Sequence, residues 1–285
     1  MICSKCRSTN TKKNGFSHNK TQHYLCKDCG NNFSEAVVNQ CRILLVDIET
    51  APILARVWKV WQENISIDQI KNDWFILCWS AKWLNDNKVI GERVTGKEAR
   101  KNNDKGIMKT LWELMDEADV VIGHNIDDFD LPRIRTRFIL NGLPPTSSLR
   151  TIDTVKIARK HFSFTHNKLD YLAQQFGFSR KLKTDFSLWE RCAKGDDKAL
   201  QYMLDYNKKD VLILEEVYLR LRGWTKSHPN LNMFQPELGC SNCGSPNIKL
   251  KGKYVTQAGK HKTWVCSDCG AYSRETTKTL ISTAQ

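Results

Sequence analysis

The sequence predicts an α/β domain built around a mixed sheet, with a small cysteine-rich module at each end. Two observations predict this arrangement. Eight of the eleven cysteines form four Cys-x-x-Cys pairs, and two of these pairs lie near each end of the chain. Between them, short apolar runs come first and apolar residues at helical spacing follow. This order is expected of leading strands and then alternating helices and strands.

The first module is predicted to be a zinc ribbon over residues 1–38. Nineteen residues separate its two cysteine pairs, which are formed by Cys3, Cys6, Cys26 and Cys29. Pairs separated by 15 to 20 residues are typical of zinc ribbons, in which each tight turn offers two thiolates to a tetrahedral site. Because so short a segment cannot bury a sizeable core, the metal is expected to supply much of its folding energy.

The same pattern returns in residues 239–285, at Cys240, Cys243, Cys266 and Cys269. The repeat extends beyond the cysteines, since Cys-Ser-Lys-Cys-Arg-Ser-Thr-Asn in the first module matches Cys-Ser-Asn-Cys-Gly-Ser-Pro-Asn in the second. We therefore predict two structural Zn²⁺ ions, one in each module. Both modules are rich in lysine and carry aromatic residues that either bind nucleic acid or only fill a small core: Phe16, Tyr24, Tyr254 and Trp264.

Residues 40–223 are predicted to form one domain. Its first strand is the apolar run 43–48, whose branched side chains are typical of a strand buried on both faces. The other predicted elements are strands at 74–84, 88–95 and 119–123 and helices at 105–117, 131–140, 168–176 and 198–221. Two prolines, Pro229 and Pro236, indicate a linker over 224–238.

The charge of the chain favours a polyanionic partner such as nucleic acid, because the formal net charge is +13. If each module holds zinc through four thiolates, the net charge falls to about +9. No apolar run reaches the roughly 18 residues of a membrane span, and the first residues lack the features of a signal peptide. We therefore expect a cytoplasmic protein that does not associate with membranes.

Carboxylates occur at three places where strands and helices meet. Asp47 and Glu49 project from one face at the end of the first strand. Burying two neighbouring carboxylates without a cation would be energetically unfavourable, because they repel each other and lose their hydration. A divalent metal ion is the natural partner. Asp130 follows the fourth strand, where its alternative role is to cap the next helix. Tyr206 and Asp210 share one face of the last helix, although a core-edge tyrosine and a surface acid would have the same spacing.

In this order the motifs resemble the DEDD exonucleases of the tyrosine subtype. They read Asp-x-Glu from Asp47, Asn-x-x-x-Phe-Asp ending at Asp130, and Tyr-x-x-x-Asp from Tyr206. The histidine subtype would require histidine at position 205, which is aspartate. Over about residues 41–221, the chain resembles in particular the proofreading 3′–5′ exonuclease domain of family-B DNA polymerases. This resemblance implies an RNase H-like fold with a mixed five-stranded sheet and helices.

The resemblance also implies the role of each residue. Two Mg²⁺ or Mn²⁺ ions would be held by Asp47, Glu49, Asp130 and Asp210, with Asp47 shared by both ions. Such a pair of ions stabilises the attacking and the leaving oxygen of an in-line displacement at phosphorus. Tyr206 would orient the attacking water with help from Glu49, because an ordinary phenol titrates near 10 and is a poor base. Three residues would hold the 3′-terminal nucleotides: Thr50, Asn125 and Phe129.

The predicted function is that of a stand-alone metal-dependent 3′–5′ exodeoxyribonuclease. It would release nucleoside monophosphates from single-stranded or frayed DNA 3′ ends in replication, proofreading or repair. The chain leaves no room for polymerase palm and fingers modules, so proofreading would require a separate DNA polymerase or replication protein as partner. One alternative is a 3′–5′ exoribonuclease, since no residue is recognisable as a reader of the 2′-hydroxyl. Another is a zinc-ribbon nucleic-acid-binding or adaptor protein, against which the intact set of acids argues.

Overall fold

The computed structural model describes residues 3, 6, 8–16, 22–34, 41–61, 64–234, 238–257 and 259–274. The chain divides into two compact units, Met1–Gln40 and Cys41–Gln285. The first unit is the N-terminal cysteine module. The second contains the central sheet, its helices and the C-terminal cysteine module.

In the N-terminal unit, a small antiparallel sheet supports the four cysteines. The Sγ atoms of all four lie within 4.8 Å of one another, close enough to share one ion. Contacts of 3.6 Å join Cys3 to Cys29 and Cys6 to Cys26. The sheet has the order β1-β2-β3 and consists of β1 (Thr11–Phe16), β2 (Gln22–Cys26) and β3 (Asn32–Ser34).

The central sheet is mixed and has five strands, as predicted. The described residues of this region form the strands β4 (Ile43–Thr50), β5 (Leu54–Ala55), β6 (Ile70–Asn72), β7 (Ile76–Trp83), β8 (Ile90–Arg93), β9 (Val120–Gly123) and β10 (Arg150–Asp153). The sheet order is β10-β9-β4-β7-β8, and β5 pairs separately with β6. Strands β10, β9 and β4 are parallel to one another, whereas β7 is antiparallel to both β4 and β8. The first strand, β4, is therefore central.

Helices cover both faces of this sheet. They are α1 (Gly96–Ala99), α2 (Lys105–Asp116), α3 (Asp130–Leu140), α4 (Thr154–His161), α5 (Leu169–Gln175), α6 (Phe186–Ala193) and α7 (Asp197–Leu221). Side chains of β4 alternate between two apolar clusters, with Leu44 and Val46 packing on one side and Ile43 and Leu45 on the other. This alternation confirms that β4 is buried on both faces. No helix within the described ranges is long and apolar enough to cross a membrane.

The C-terminal module has the same three-stranded plan as the first. Its strands have the order β11-β12-β13 and are β11 (Ile248–Thr256), β12 (Gly259–Cys266) and β13 (Tyr272–Arg274). The Sγ atoms of its four cysteines also lie within 4.8 Å of one another. The 3.6 Å contacts join Cys240 to Cys269 and Cys243 to Cys266, in the same arrangement as in the first module.

A matching aspartate explains why the sequence repeat extends beyond the cysteines. Asp28 accepts hydrogen bonds from Ser8 and from Asn10 Nδ2, the latter at 2.7 Å, and so ties one knuckle to the other. In the second module, Asp268 accepts bonds from the equivalent serine and asparagine at 2.5 and 3.1 Å. Both modules therefore close their cysteine turns with the same side-chain bonds.

The C-terminal module is fixed to the central domain through the end of α7. Buried Asn242 donates from Nδ2 to the carbonyl oxygens of Arg222 and Thr225, at 2.9 and 2.8 Å. Gly223 is required there, because a Cβ atom would come within 2.1 Å of the Cys269 carbonyl oxygen.

The segment 224–238, which we predict to be a linker from its prolines, is packed in its described part. Leu231 belongs to the apolar cluster beneath the sheet, and its N–H donates to the Ser241 carbonyl at 2.7 Å. His228 is buried and its Nε2 lies 2.8 Å from Tyr218 Oη. The prolines interrupt regular structure, but buried contacts hold the chain against the domain.

The aromatic residues of the modules differ in exposure. Tyr254 is 52% exposed on β11, with the Arg274 guanidinium 5.9 Å from its ring. Trp264 is half-buried and its Nε1 lies inside the module, which makes it part of the small core. Tyr24 is also half-buried, and the side chain of Phe16 lies outside the described residues. Of the described aromatics named from the sequence, Tyr254 is the one placed to meet a ligand.

Candidate active site

Strand β4 presents two acids toward the face that α7 covers. Asp47 and Glu49 alternate with Ile48, whose side chain packs in the cluster on the opposite face. Asp210 of α7 is 2% exposed and meets them there. Carboxylate oxygens of Asp47, Glu49 and Asp210 lie within 4.8 Å of one another, so three of the four predicted acids form one cluster.

The fourth acid, Asp130, reaches the cluster from the side. It is the first residue of α3 and is 3% exposed, and the N-cap position belongs to Phe129. Its Oδ1 accepts a hydrogen bond from Ile48 N at 3.3 Å, which fixes the carboxylate beside β4. The alternative capping role is therefore wrong. Asp130 lies outside the three-acid group, but its charge contributes to raising the pKa of Asp47.

Burial raises the pKa of every carboxyl group in this site, and repulsion by the other acids of the site adds to it for Asp47 and Glu49. Burial is the larger cause for Asp47, whose pKa lies well above its ordinary value, and the three other acids add to it. Burial also raises the pKa of Glu49 and of Asp130, each to about 7. The pKa of Asp210 is raised by burial, although Lys181 opposes the shift. Such a set of acids requires cations nearby.

Lys181 is one such cation, and sequence reasoning missed it. Its Nζ forms an ion pair with Asp210 Oδ2 and lies 3.3 Å from Tyr206 Oη. Burial lowers the pKa of Lys181, but the charges of Asp210 and Asp47 outweigh it and raise the pKa above its ordinary value. Lys181 lies between α5 and α6 among other basic residues, so no local pattern distinguishes it. One ammonium group offsets one of four carboxylates.

Asn207 is a second residue that the motifs did not indicate. It is fully buried, and its Nδ2 donates to Asp47 Oδ2 at 2.6 Å, which orients that carboxylate. Asn207 Oδ1 and Asp210 Oδ1 are buried and have no hydrogen-bond partner among the described residues. The helical periodicity of α7 places position 207 on the face that is turned into the domain. That periodicity is the sequence signal that could have identified Asn207.

Glu49 and Tyr206 are linked through α6. Trp189 Nε1 donates to Glu49 Oε2 at 3.1 Å, and the Trp189 ring packs edge-on against Tyr206 with centroids 6.2 Å apart. Burial raises the pKa of the Tyr206 phenol, and the charge of Asp210 raises it further. The phenol therefore stays protonated at neutral pH. It can therefore donate a hydrogen bond.

The predicted substrate-binding residues are not all in one place. Asn125 has a left-handed backbone with φ of 72° and lines a cavity of about 600 Å³ that also contains Tyr206 and Lys181. Thr50 ends β4 just beyond Glu49. Phe129 is 36% exposed, at the start of α3, with the Arg133 guanidinium 3.7 Å from its ring centroid. The cavity is basic, since its lining includes Arg159, Lys168 and Lys181.

Half-buried His124, which lines the cavity, should make the protein sensitive to acid. Its Nε2 donates to the Asn167 carbonyl at 2.8 Å, its Nδ1 lies 2.9 Å from Thr154 Oγ1, and burial lowers its pKa to about 4. As the pH falls below about 6.5, His124 becomes protonated in the unfolded chain before it does so in the folded protein. Protonation therefore favours unfolding, and the free energy of unfolding decreases until about pH 4.

We expect the free energy of unfolding to fall by about 2–3 kcal/mol more in the wild type than in His124→Gln between pH 7.5 and 4.5. Urea denaturation at both pH values measures the difference. An equal loss of stability in both proteins would contradict the assignment.

The sequence profile of the RNase_H superfamily matches residues 68–222, which is more than half of the 285-residue chain. The chain belongs to the RNase H superfamily. Its mixed five-stranded sheet and helices form an RNase H-like nuclease fold, which confirms the predicted fold class. The acids of α3 and α7 lie inside the matched region of this RNase H superfamily protein, and those of β4 lie N-terminal to it.

Among solved structures, the chain is similar to the family B DNA polymerase from the hyperthermophilic archaeon Pyrobaculum calidifontis, with a TM-score of 0.46 and 16% sequence identity. The similarity covers 64% of this RNase H superfamily chain and 25% of the polymerase chain. The chain thus spans about a quarter of that protein's length. No curated protein matches the sequence.

Proposed function

We propose that this protein is a metal-dependent 3′–5′ exonuclease of the DEDD tyrosine subtype that releases nucleoside monophosphates from DNA 3′ ends. The observation that carries the proposal is the cluster of Asp47, Glu49 and Asp210 with Asp130 and Tyr206 beside it. Membership of the RNase H superfamily supports a nuclease. The spacing of the motifs supports the subtype.

The donor set fits two Mg²⁺ or Mn²⁺ ions. Hard divalent cations prefer carboxylate oxygens, and the buried Oδ1 of Asp210 has no protein partner among the described residues. Asp47, Glu49 and Asp210 would hold one ion, and Asp130 with Asp47 would hold the other. When bound, such ions stabilise the attacking and leaving oxygens of phosphodiester hydrolysis.

The chain's own groups position the reactants around these acids. The protonated phenol of Tyr206 donates a hydrogen bond that orients the attacking water, next to Glu49. Asn207 fixes the Asp47 carboxylate, and Trp189 fixes that of Glu49. Lys181 lowers the pKa of Asp210 against the effect of burial and adds positive charge where a phosphate would approach. The basic cavity beside Tyr206 and Asn125 would take the 3′-terminal nucleotide.

We also propose that each cysteine module holds one structural Zn²⁺ through four thiolates. The Sγ contacts of 3.6 Å fit the spacing of thiolates around a tetrahedral zinc ion. Strands β11 and β12 of the second module carry five lysines, and this positive charge supports nucleic acid as the ligand of the module.

A nuclease assay on 5′-labelled oligonucleotides tests the proposal. With Mg²⁺ or Mn²⁺, single-stranded DNA should shorten stepwise from its 3′ end with release of nucleoside 5′-monophosphates. Matched RNA should be degraded more slowly. Faster degradation of RNA would instead identify an exoribonuclease. The absence of hydrolysis of either polymer would contradict a nuclease and favour a nucleic-acid-binding adaptor.

Tyr206→Phe should reduce kcat about 10- to 100-fold and leave KM within about twofold, because the phenol orients water and does not hold substrate. The matched control is Tyr202→Phe on the same helix, where the phenol is 41% exposed and donates to the Lys183 carbonyl. Steady-state kinetics on single-stranded DNA measure both. A Tyr206→Phe enzyme as fast as Tyr202→Phe would remove Tyr206 from the mechanism.

A further inference from the structure

Residues 51–61 and 64–73 belong to an arm between β4 and β7 that the proposed chemistry does not use. Its base is the β5–β6 pair, with Leu54 opposite Asn72 and Ala55 opposite Ile70. Beyond the base, two tryptophans face solvent, Trp58 at 94% and Trp61 at 82% exposure. Tryptophan is normally well buried, and two so exposed within four residues indicate a binding surface.

The arm continues the strand that carries the candidate catalytic acids. The β4–β7 ladder runs to Thr50 opposite Ile76, and Ala51 N then donates to the Phe75 carbonyl at 2.9 Å. At the far side of the β5–β6 pair, Arg56 N donates to the Gln69 carbonyl at 3.0 Å. Trp58 is therefore separated from Glu49 by at most about 32 Å of extended chain.

Cations alternate with the aromatics along the arm. The run 54–61 reads Leu-Ala-Arg-Val-Trp-Lys-Val-Trp, so it contains Arg56 and Lys59, both exposed, and no acid. At the base, the Arg133 guanidinium lies 3.7 Å from the Phe129 ring centroid and 5.8 Å from that of Trp74. Cations and aromatic rings thus extend from the candidate active site to the foot of the arm.

We propose that residues 54–61 bind the single-stranded segment of nucleic acid that leads into the active site. Bases stack on Trp58 and Trp61, and phosphates pair with Arg56 and Lys59. Exposed aromatics interleaved with cations are the usual components of single-strand binding surfaces, where stacking tolerates any base. A protein partner is disfavoured because lysine is depleted at the centre of protein interfaces, and Lys59 lies between the two tryptophans.

The inference rests on the proposed exonuclease function, so its test separates the arm from the chemistry. The full-length Trp58→Ala/Trp61→Ala variant is assayed on a 20-nucleotide single strand and on the p-nitrophenyl ester of thymidine 5′-monophosphate, which is too short to reach the arm. We expect KM for the 20-mer to rise about 30-fold and turnover of the ester to stay within twofold.

Two further variants serve as controls. Ile67→Ala removes another apolar side chain of the arm, 89% exposed, and should leave both substrates unaffected. Trp58→Phe/Trp61→Phe keeps the stacking surface and should recover most of the affinity. An unchanged KM in the alanine variant would overturn the inference. An equal loss on the ester would also overturn it, because the arm would then serve the site and not the strand.

Binding measurements keep the inference testable even if no hydrolysis occurs. Fluorescence anisotropy of a labelled dT20 strand with Ca²⁺ gives Kd directly, and the alanine variant should again bind about 30-fold more weakly. Arg56→Gln/Lys59→Gln should reduce the slope of log Kd against log salt concentration by about 1.4, since two phosphate contacts are lost. Wild-type affinity and slope in these variants would exclude the arm from strand binding, and point to a protein ligand instead.

Discussion

Replacement of Asp47 by asparagine is expected to lower metal-dependent hydrolysis by on the order of 10³-fold or more, with the fold intact. Asp47 lies among the three other acids, and it is the carboxylate whose pKa all of them raise. Asparagine keeps an oxygen for the hydrogen bond from Asn207 but has no charge for a metal ion. Because the substitution also removes charge repulsion, the free energy of unfolding should stay constant or rise.

Initial rates with Mg²⁺ and with Mn²⁺, together with urea denaturation curves, measure both effects. The matched control is Asp205→Asn, which removes an exposed acid of α7 next to Tyr206 and should retain near wild-type activity. A residual activity of a tenth or more in Asp47→Asn would mean that the catalytic cluster lies elsewhere.

Asp104→Ala should cost about 3–5 kcal/mol of the free energy of unfolding, because it leaves a largely buried guanidinium without its carboxylate. Asp104 is fully buried and accepts bonds from Arg137 Nε at 2.6 Å and Nη2 at 2.8 Å. It also accepts from Asn141 Nδ2 at 2.9 Å and from Ile76 N at 3.0 Å. One carboxylate thus joins the start of α2 to α3 and to the first residue of β7.

Chemical denaturation of three variants distinguishes this role from a general loss of charge. The exposed pair of Arg42 and Glu117 has side chains that are 47% and 53% accessible, so Glu117→Ala should cost less than about 1 kcal/mol. Asp104→Ala/Arg137→Met should recover part of the stability, since the unpaired charge is removed as well. A loss below about 1 kcal/mol in Asp104→Ala would contradict the role assigned to it.

The sequence predicted the elements whose signals are local. β4 was found because branched apolar residues mark a doubly buried strand, and the longest helix because its apolar stripe repeats over many turns. β10 was not located, since its four residues are partly exposed and give too short a pattern. α6 was missed for a related reason: it spans eight residues, and two of them are buried.

The residues of the candidate site also divide into those that a local motif predicts and those that it does not. The spacing of the motifs predicted Asp47, Glu49, Asp130, Tyr206 and Asp210, and the fold brings their side chains to one end of β4. Lys181, Asn207 and Trp189 were not predicted, because a lysine in a loop, an asparagine in a helix and a tryptophan in an unpredicted helix carry no pattern of their own. Their roles depend on contacts across 25 to 160 residues of chain, which local spacing cannot reveal.

The sequence by itself determined the mixed α/β domain, the two four-cysteine modules and the acids of the site, since periodicity and ligand spacing encode these features directly. Only the tertiary structure decided that Lys181 offsets Asp210, that Asn207 orients Asp47 and that the second module is fixed to α7 through Asn242. The physical reason is that each of these contacts needs a buried side chain to meet a partner elsewhere in the chain, and local spacing does not encode that meeting.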